Sequence, residues 1–212
     1  MSAIGSIRFS RRELFDLVAA WLILSVAFTL FLNPGVLSRW SYAPDPAAVI
    51  AAFGESLVTS LLTVGVGFML HELAHKVVAI RFGQVAAFQA DYGMLFLALV
   101  SAMAGFLFAA PGAVVHRGRL TPKESGLIAL AGPMTNLALV LVFAPVALLA
   151  GPDIASIASF GVTINLLLAG FNMIPYGPLD GRTVLRWSRG VYLAVAVPSI
   201  VLAIAGLFGP GL

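Results

Sequence analysis

The chain has 212 residues, of which 60% are hydrophobic and 10% are charged, and its mean hydropathy is +1.03. A water-soluble domain carries about 25% charged residues, so this chain has too few charges to cover a surface exposed to water. The composition excludes a soluble globule. It also excludes a disordered chain, which has few hydrophobic and many charged residues. A polytopic membrane protein remains, with room for about five or six membrane spans.

The charge and the cysteine content exclude further classes of function. The net charge of +3 comes from scattered basic residues without a basic run, so we expect no nucleic-acid partner. The chain has no cysteine, which excludes disulfides, zinc sites built from thiolates and a catalytic thiol.

The first long apolar run covers about 14–32 and follows Arg8, Arg11 and Arg12. This arrangement is similar to a signal peptide, but the run is too long for the apolar core of one and lacks a small-residue cleavage site. We therefore expect a retained first span. The stretch 33–55, which contains several proline and glycine residues, is predicted to be a loop.

Four further apolar runs have the length that a tilted transmembrane helix needs. They cover about 56–80, 124–150, 156–175 and 190–208. Together with the first run they predict five crossings in a single domain, residues 1–212, without an internal repeat. We expect no PDZ-like or other regulatory module.

The segment 84–119 is the ambiguous part of the topology because its apolar run, 94–110, is the shortest. If this run crossed the membrane, the basic residues after it would lie on the side opposite to the N-terminus. If the segment is re-entrant, only Arg39 of the 12 basic residues lies outside, which satisfies the positive-inside rule far better. Aromatic and β-branched residues over 105–115 also favour a strand.

The predicted fold is therefore an all-α polytopic membrane protein with five to six transmembrane helices. The segment 84–119 forms a small re-entrant or β-containing element, with a short helix over about 94–104 as one option. We expect a multi-pass protein of the plasma membrane whose N-terminus and active-site side are cytoplasmic.

The stretch His71-Glu72-Leu73-Ala74-His75 lies inside the second apolar run. Residues four apart share one face of a helix, so His71 and His75 can present two imidazoles to one zinc ion. Glu72 is adjacent and can act on a water molecule there. Two buried structural histidines with a stray carboxylate are the alternative, but ionisable groups are costly inside a membrane helix.

A catalytic zinc ion needs a third protein ligand, and Asp180 is the best of the few acidic residues. It follows Pro175, Gly177 and Pro178, which break a helix near the cytoplasmic face. In the re-entrant topology Asp180 and the histidine pair lie at the same depth in the membrane, near its cytoplasmic face. The alternative is that Asp180 only caps a helix or stabilises a turn. A carboxyl group more than about 8 Å from both imidazoles would exclude the zinc site.

Three segments together resemble the site-2 protease family of intramembrane zinc metalloproteases. They are the HELAH helix, Ala131-Gly132-Pro133-Met134-Thr135-Asn136, and the stretch from Asn172 through Pro175, Pro178 and Leu179 to Asp180-Gly181. The resemblance covers about 65–190.

The resemblance implies a role for each residue of the candidate site. The zinc ligands would be His71, His75 and Asp180, and the general base would be Glu72. Asn172 would bind substrate or stabilise the oxyanion, and Asn136 would face the same cavity. The family also has a membrane-associated β element after the HExxH helix.

These features predict a zinc-dependent endopeptidase, with Zn²⁺ as cofactor, that cleaves peptide bonds within or near transmembrane helices of membrane proteins. Its partners would be such a substrate and the lipid bilayer. The extended substrate could add as a strand to the segment 84–119. A metal-ion transporter and an inactive membrane scaffold are the alternatives. Asn165 is predicted to hydrogen-bond between helices, and Gly67 and Gly132 to permit close helix packing.

Overall fold

A computed structural model describes residues 7–36, 42–108 and 110–208 of the chain. The elements follow in the order α1 (Arg11–Leu32), α2 (Pro46–Ser60), a π-helical turn (Leu61–Gly65), α3 (Val66–Arg81), β1 (Val85–Ala90), α4 (Tyr92–Met103), β2 (Gly112–Arg117), α5 (Pro122–Leu149), α6 (Pro152–Asn172), α7 (Asp180–Trp187) and α8 (Arg189–Phe208).

Among these described residues, five helical stretches are long and apolar enough to cross a membrane. They are α1, the continuous stretch Pro46–Arg81, α5, α6 and the part Arg189–Gly206 of α8. The prediction of a mostly helical, multi-pass membrane protein is therefore confirmed. Helix α5 begins at Pro122 because Thr121 and Glu124 form a capping box there.

The second span begins much earlier than predicted. The stretch 33–55 was expected to be a loop, but helix α2 starts at Pro46, and this part of the prediction is wrong. The Asp45 side chain accepts hydrogen bonds from the N–H groups of Ala47 and Ala48, and Pro46 occupies the first helical turn, where its missing N–H costs nothing. The loop prediction for 37–41 lies outside the described residues.

The segment 84–119 forms an antiparallel pair of strands with a helix between them. The register runs from Val85 opposite Arg117 to Ala90 opposite Gly112, so the segment starts and ends at the same level. Helix α4 has 12 residues, about 18 Å at 1.5 Å per residue, which is short for a hydrocarbon core of about 30 Å. The predicted small β element is confirmed, although its second strand begins at Gly112 instead of about 105. Its re-entrant course through the membrane stays a prediction.

Helix α3 lies at the centre of the fold, packed against α1, α5, α6 and the sheet. The sheet contacts it through Phe88, whose ring meets that of Phe68 edge to face, with 5.9 Å between the ring centroids. This packing places the residues of the HELAH stretch between the sheet and helix α5.

Two carboxylates of α1 occupy the outer edge of β1. The Phe88 N–H donates to Oε1 of Glu13 at 3.0 Å, and the Ala90 N–H donates to Oδ2 of Asp16 at 3.4 Å. Asp16 also accepts a 2.6 Å hydrogen bond from the Tyr92 hydroxyl. The edge of β1 that faces away from β2 is therefore already hydrogen-bonded.

Candidate metal centre and active site

The structure brings His71, His75 and Asp180 together. Oδ2 of Asp180 lies 3.3 Å from Nε2 of His71 and 3.4 Å from Nε2 of His75, and one ligand atom from each residue lies within 4.8 Å of the others. Ligand atoms of a tetrahedral zinc ion, bonded at about 2.0–2.1 Å, are about 3.3–3.4 Å apart. Both distances from Asp180 therefore match those in a tetrahedral zinc site, and the three groups are close enough to share one ion.

The outer nitrogens of both imidazoles are held by acceptors. Nδ1 of His75 lies 2.7 Å from the carbonyl oxygen of Ile128, which can only accept, so this nitrogen carries the proton. Nδ1 of His71 lies 2.6 Å from Oδ1 of Asn136. In the neutral rings, both Nε2 atoms then direct lone pairs at the Asp180 carboxylate. Such outer hydrogen bonds are typical of histidines that bind metals.

A cation fits this arrangement better than the protein alone does. Oδ2 of Asp180 is buried and has no hydrogen-bond partner among the described residues, although it faces two nitrogens. With both rings neutral, this buried acceptor faces two lone pairs, which is unfavourable, and either a proton on one Nε2 or a cation relieves it. A divalent cation between the three atoms would accept all of these lone pairs, so the residues fit the zinc ion.

Gly132 on α5 keeps the space for that cation open. A β-carbon built at this position would collide with the imidazole of His71 and lie 2.5 Å from Nε2 of His75. Gly132 was expected to permit close helix packing, whereas the structure places it against the two metal-facing nitrogens. The next residue, Pro133, cannot donate to Ala129, which weakens the helix in the turn that also holds the Ile128 carbonyl.

Asp180 reaches the histidines from the turn after α6. A β-carbon at the following residue, Gly181, would collide with the backbone of Met173, so glycine allows the chain to fold tightly back on the end of α6. Burial raises the pKa of the Asp180 carboxyl, but the adjacent imidazoles lower it more, and the pKa lies below its ordinary value. Asp180 therefore offers a carboxylate to a cation.

Glu72 lies beside the three candidate ligands. Its side chain is buried on α3, close enough to His71, His75 and Asp180 to interact with them electrostatically, and the backbone N–H of Val114 faces its carboxylate. A carboxylate in this position can exchange a proton with a water molecule at the cluster.

The two candidate asparagines have different surroundings. Asn136 is fully buried behind His71, and its amide group also donates to Gly67 and Asn165, which is not the substrate-facing position predicted for it. Asn172 is half-buried as the last residue of α6, and its amide donates to the Leu168 carbonyl in its own helix. The predicted role of Asn172 stays a prediction.

The sequence reasoning missed that Gly132 lies against the metal-facing nitrogens and that Asn136 and Asn165 form one network with His71. Asn165 does form the predicted bond between helices, donated by Asn136. One signal was available, because asparagines are rare and costly in apolar spans and His71, Asn136 and Asn165 lie in three neighbouring spans. Nothing local in the sequence indicates that they form one network.

Comparisons with known proteins agree with this chemistry. The chain is 41% identical over 197 residues to "Putative zinc metalloprotease MJ0611" of Methanocaldococcus jannaschii, covering 91% of this chain and 93% of that protein. It is 34% identical over 208 residues to "Putative zinc metalloprotease Rip3" of Mycobacterium tuberculosis, covering 90% of this chain but 47% of the relative.

A third relative, "Putative zinc metalloprotease YwhC" of Bacillus subtilis, is 31% identical over 146 residues, which are 59% of this chain and 67% of the relative. No family model matches the chain, and no solved structure matches it. The long, nearly complete alignment with the first relative shows the family. The chain belongs to the site-2 protease family and is a multi-pass membrane zinc metalloendopeptidase.

Proposed function

We propose that this zinc metalloprotease cleaves peptide bonds within or near the transmembrane helices of membrane proteins. The observation that carries the proposal is the position of the cluster. His71, Glu72 and His75 are buried on a helical stretch that is long and apolar enough to span the membrane. A cluster carried by such a helix supports cleavage at the level of a substrate helix rather than in a soluble domain.

In this proposal His71, His75 and Asp180 hold the zinc ion. When bound, zinc supplies Lewis acidity that activates a water molecule and polarises a carbonyl group. Glu72 takes the proton of the attacking water and returns it to the leaving amine. Its burial beside the cluster suits this exchange, because few other groups there can accept a proton.

Asn172 is the proposed donor to the oxyanion. Asn172 is the last residue of α6, eight residues before Asp180. Among the described residues, its amide donates to the Leu168 carbonyl of the same helix. A rotation of the side chain would free both amide hydrogens for a substrate oxygen. Asn172→Ala should lower kcat more than zinc affinity, and a loss of zinc instead would contradict this role.

The substrate is proposed to add to β2. Glu13 and Asp16 occupy the outer edge of β1. In the same register, the N–H groups of Val114 and His116 point away from β1, and that of Val114 faces Glu72. An extended peptide paired with this edge would therefore run past the general base.

Replacing a single backbone donor tests this docking mode. His116→Pro removes an N–H from the open edge, whereas His116→Ala keeps it and serves as the matched control. We expect the proline variant alone to raise KM for a transmembrane substrate. Equal cleavage by both variants would contradict strand addition.

The active-site side is proposed to be cytoplasmic, with the N-terminus on the same side. Because the chain has no cysteine, single cysteines report topology without background. Gly151 and Gly190 are exposed, and a β-carbon at either meets no atom within 4 Å. In intact cells a membrane-impermeant maleimide should label Gly151→Cys and not Gly190→Cys; the reverse pattern would invert the topology.

Cleavage itself is tested with the full chain purified in detergent and a model transmembrane helix as substrate. The wild-type protein should cut it, and Glu72→Gln should retain zinc but lose cleavage. Zinc binding without any cleavage that depends on Glu72 would overturn the proposal and favour a transporter or a scaffold.

A further inference from the structure

Beyond the candidate ligands, an unbroken series of hydrogen bonds runs from α6 to the metal centre. The amide of Asn165 donates to the Gly161 carbonyl at 2.8 Å, and its Oδ1 accepts from the amide of Asn136 at 2.9 Å. Oδ1 of Asn136 in turn accepts from Nδ1 of His71 at 2.6 Å. The series therefore links three spanning helices, α6, α5 and α3.

Each bond in this series has a fixed direction. A backbone carbonyl can only accept, so the Gly161 carbonyl places the amide nitrogen of Asn165 on its own side and the amide oxygen towards Asn136. That oxygen and the Gly67 carbonyl, at 3.2 Å, both require the nitrogen of Asn136. Asn136 must then present its oxygen to His71, which fixes the ring with its proton on Nδ1.

Both asparagines are fully buried, so these bonds are shielded from bulk solvent. The space is also fitted to them, since a β-carbon at Gly67 would lie 2.8 Å from Oδ1 of Asn165. Reversal of either amide would leave a buried oxygen facing another oxygen without a hydrogen bond, which is unfavourable.

We propose that Asn165 is a positioning residue of the zinc site, acting through Asn136 to hold the His71 imidazole with its unprotonated Nε2 towards the cation. The inference rests on the proposed metal ligands but not on cleavage of transmembrane substrates. Helix α6 then supports the site twice, through this series on one side and through the turn that carries Asp180 on the other.

A double-mutant cycle of zinc affinity tests this role. The full chain is purified in detergent, and Zn²⁺ affinity is measured by competition with a chromophoric chelator. Asn136→Leu should weaken zinc binding by about 10–100-fold, as loss of an outer partner of a histidine ligand does. Asn165→Leu should weaken it by about tenfold, and the double variant should bind no more weakly than Asn136→Leu alone.

Thr163→Val is the matched control, because Thr163 lies on the same helix and, among the described residues, its hydroxyl donates to the Ser159 carbonyl of that helix. It should leave zinc affinity unchanged. Asn165→Ser, which is too short to reach Asn136, repeats the test if leucine prevents folding.

The Co²⁺ absorption spectrum of each variant gives a second readout that a purely structural role would not change. We expect a change in the cobalt bands for Asn165→Leu and none for Thr163→Val. Wild-type zinc affinity in both Asn165 variants, or losses that add in the double variant, would overturn the proposal. Failure of the wild-type chain to bind zinc would instead refute the metal ligands themselves.

Discussion

Two buried clusters of ionisable groups meet at adjacent residues of α3, His75 and Lys76, and they differ in how their charges are satisfied. At the first, His71, His75 and Asp180 direct lone pairs at one point, and an oxygen of Asp180 has no hydrogen bond among the described residues. At the second, Lys76 and Glu13 are paired at 2.6 Å. The two clusters are similarly buried, so the difference between them is whether each charged group has a partner within the protein.

The second cluster is complete without any added group. The Lys76 ammonium also donates to the Arg8 carbonyl at 2.7 Å and lies 3.7 Å from the centre of the Phe9 ring, while Glu13 accepts from the Phe88 N–H. Charges of this kind hold α1, α3 and β1 together. The first cluster becomes complete only with a cation, which is the physical signature of a functional site.

The largest effect is expected at Gly132. Gly132→Ala puts a methyl group against both metal-facing nitrogens, so zinc affinity should fall by more than the roughly 10–100-fold that outer partners contribute, and activity should be lost with it. Chelator competition measures the affinity. Gly54→Ala is the control, because a β-carbon there meets nothing within 4 Å; equal affinity in both variants would contradict the assigned position of the cation.

Breaking the complete cluster should affect stability instead of metal binding. Lys76→Met leaves Glu13 buried without its partner and should lower the free energy of unfolding by about 3–5 kcal/mol. Adding Glu13→Gln should restore much of this loss, since a glutamine oxygen can still accept from Phe88. Denaturant unfolding in detergent measures both. A double variant no more stable than Lys76→Met would contradict this account.

Asp180→Ala should affect stability mainly through the metal. With zinc removed by a chelator, the substitution should lower the free energy of unfolding only modestly, because the imidazoles that lower the pKa of Asp180 stabilise its carboxylate in the fold. With zinc present, the variant should lose the stabilisation that the metal gives the wild-type chain. Thermal unfolding with and without zinc gives the comparison. Equal stabilisation of the variant and the wild type by zinc would contradict the assignment of Asp180 as a zinc ligand.

The smallest effect concerns the hydrogen bond between Tyr92 and Asp16. Tyr92→Phe should cost about 1 kcal/mol of stability near neutral pH. The bond to Asp16 raises the pKa of the Tyr92 hydroxyl above its ordinary value of 10.0. Because the pKa of Tyr92 is higher in the folded than in the unfolded state, the hydroxyl stabilises the fold at any pH below its unfolded-state pKa. This stabilisation is lost as the pH rises through the folded-state pKa. The difference in the free energy of unfolding between the wild type and Tyr92→Phe should therefore disappear in alkaline solution. A difference that stays constant across pH would contradict this.

The sequence predicts the parts of this molecule that local patterns encode. Spacing of four residues places His71 and His75 on one helix face, and the basic residues flanking 84–119 indicate its re-entrant course. The start of α2 was also encoded, by Asp45 followed by Pro46, but the glycine and proline content of the surrounding stretch favoured a loop.

The remaining features depend on which helices become neighbours. Asn136 and Asn165 lie 65 and 94 positions after His71, and their bonds exist only because α5 and α6 pack beside α3. Gly132 has no local signature that separates a metal-facing glycine from one that permits close packing. Periodicity within one helix carries no information about such contacts.

X-ray absorption at the zinc edge of the purified full chain tests the central claim most directly. The structure predicts one four-coordinate zinc ion per chain, with scattering from two imidazoles and oxygen ligands at about 2.0–2.1 Å, and loss of an oxygen ligand in Asp180→Ala. A six-coordinate, oxygen-rich spectrum without imidazole scattering, unchanged in the variant, would contradict it.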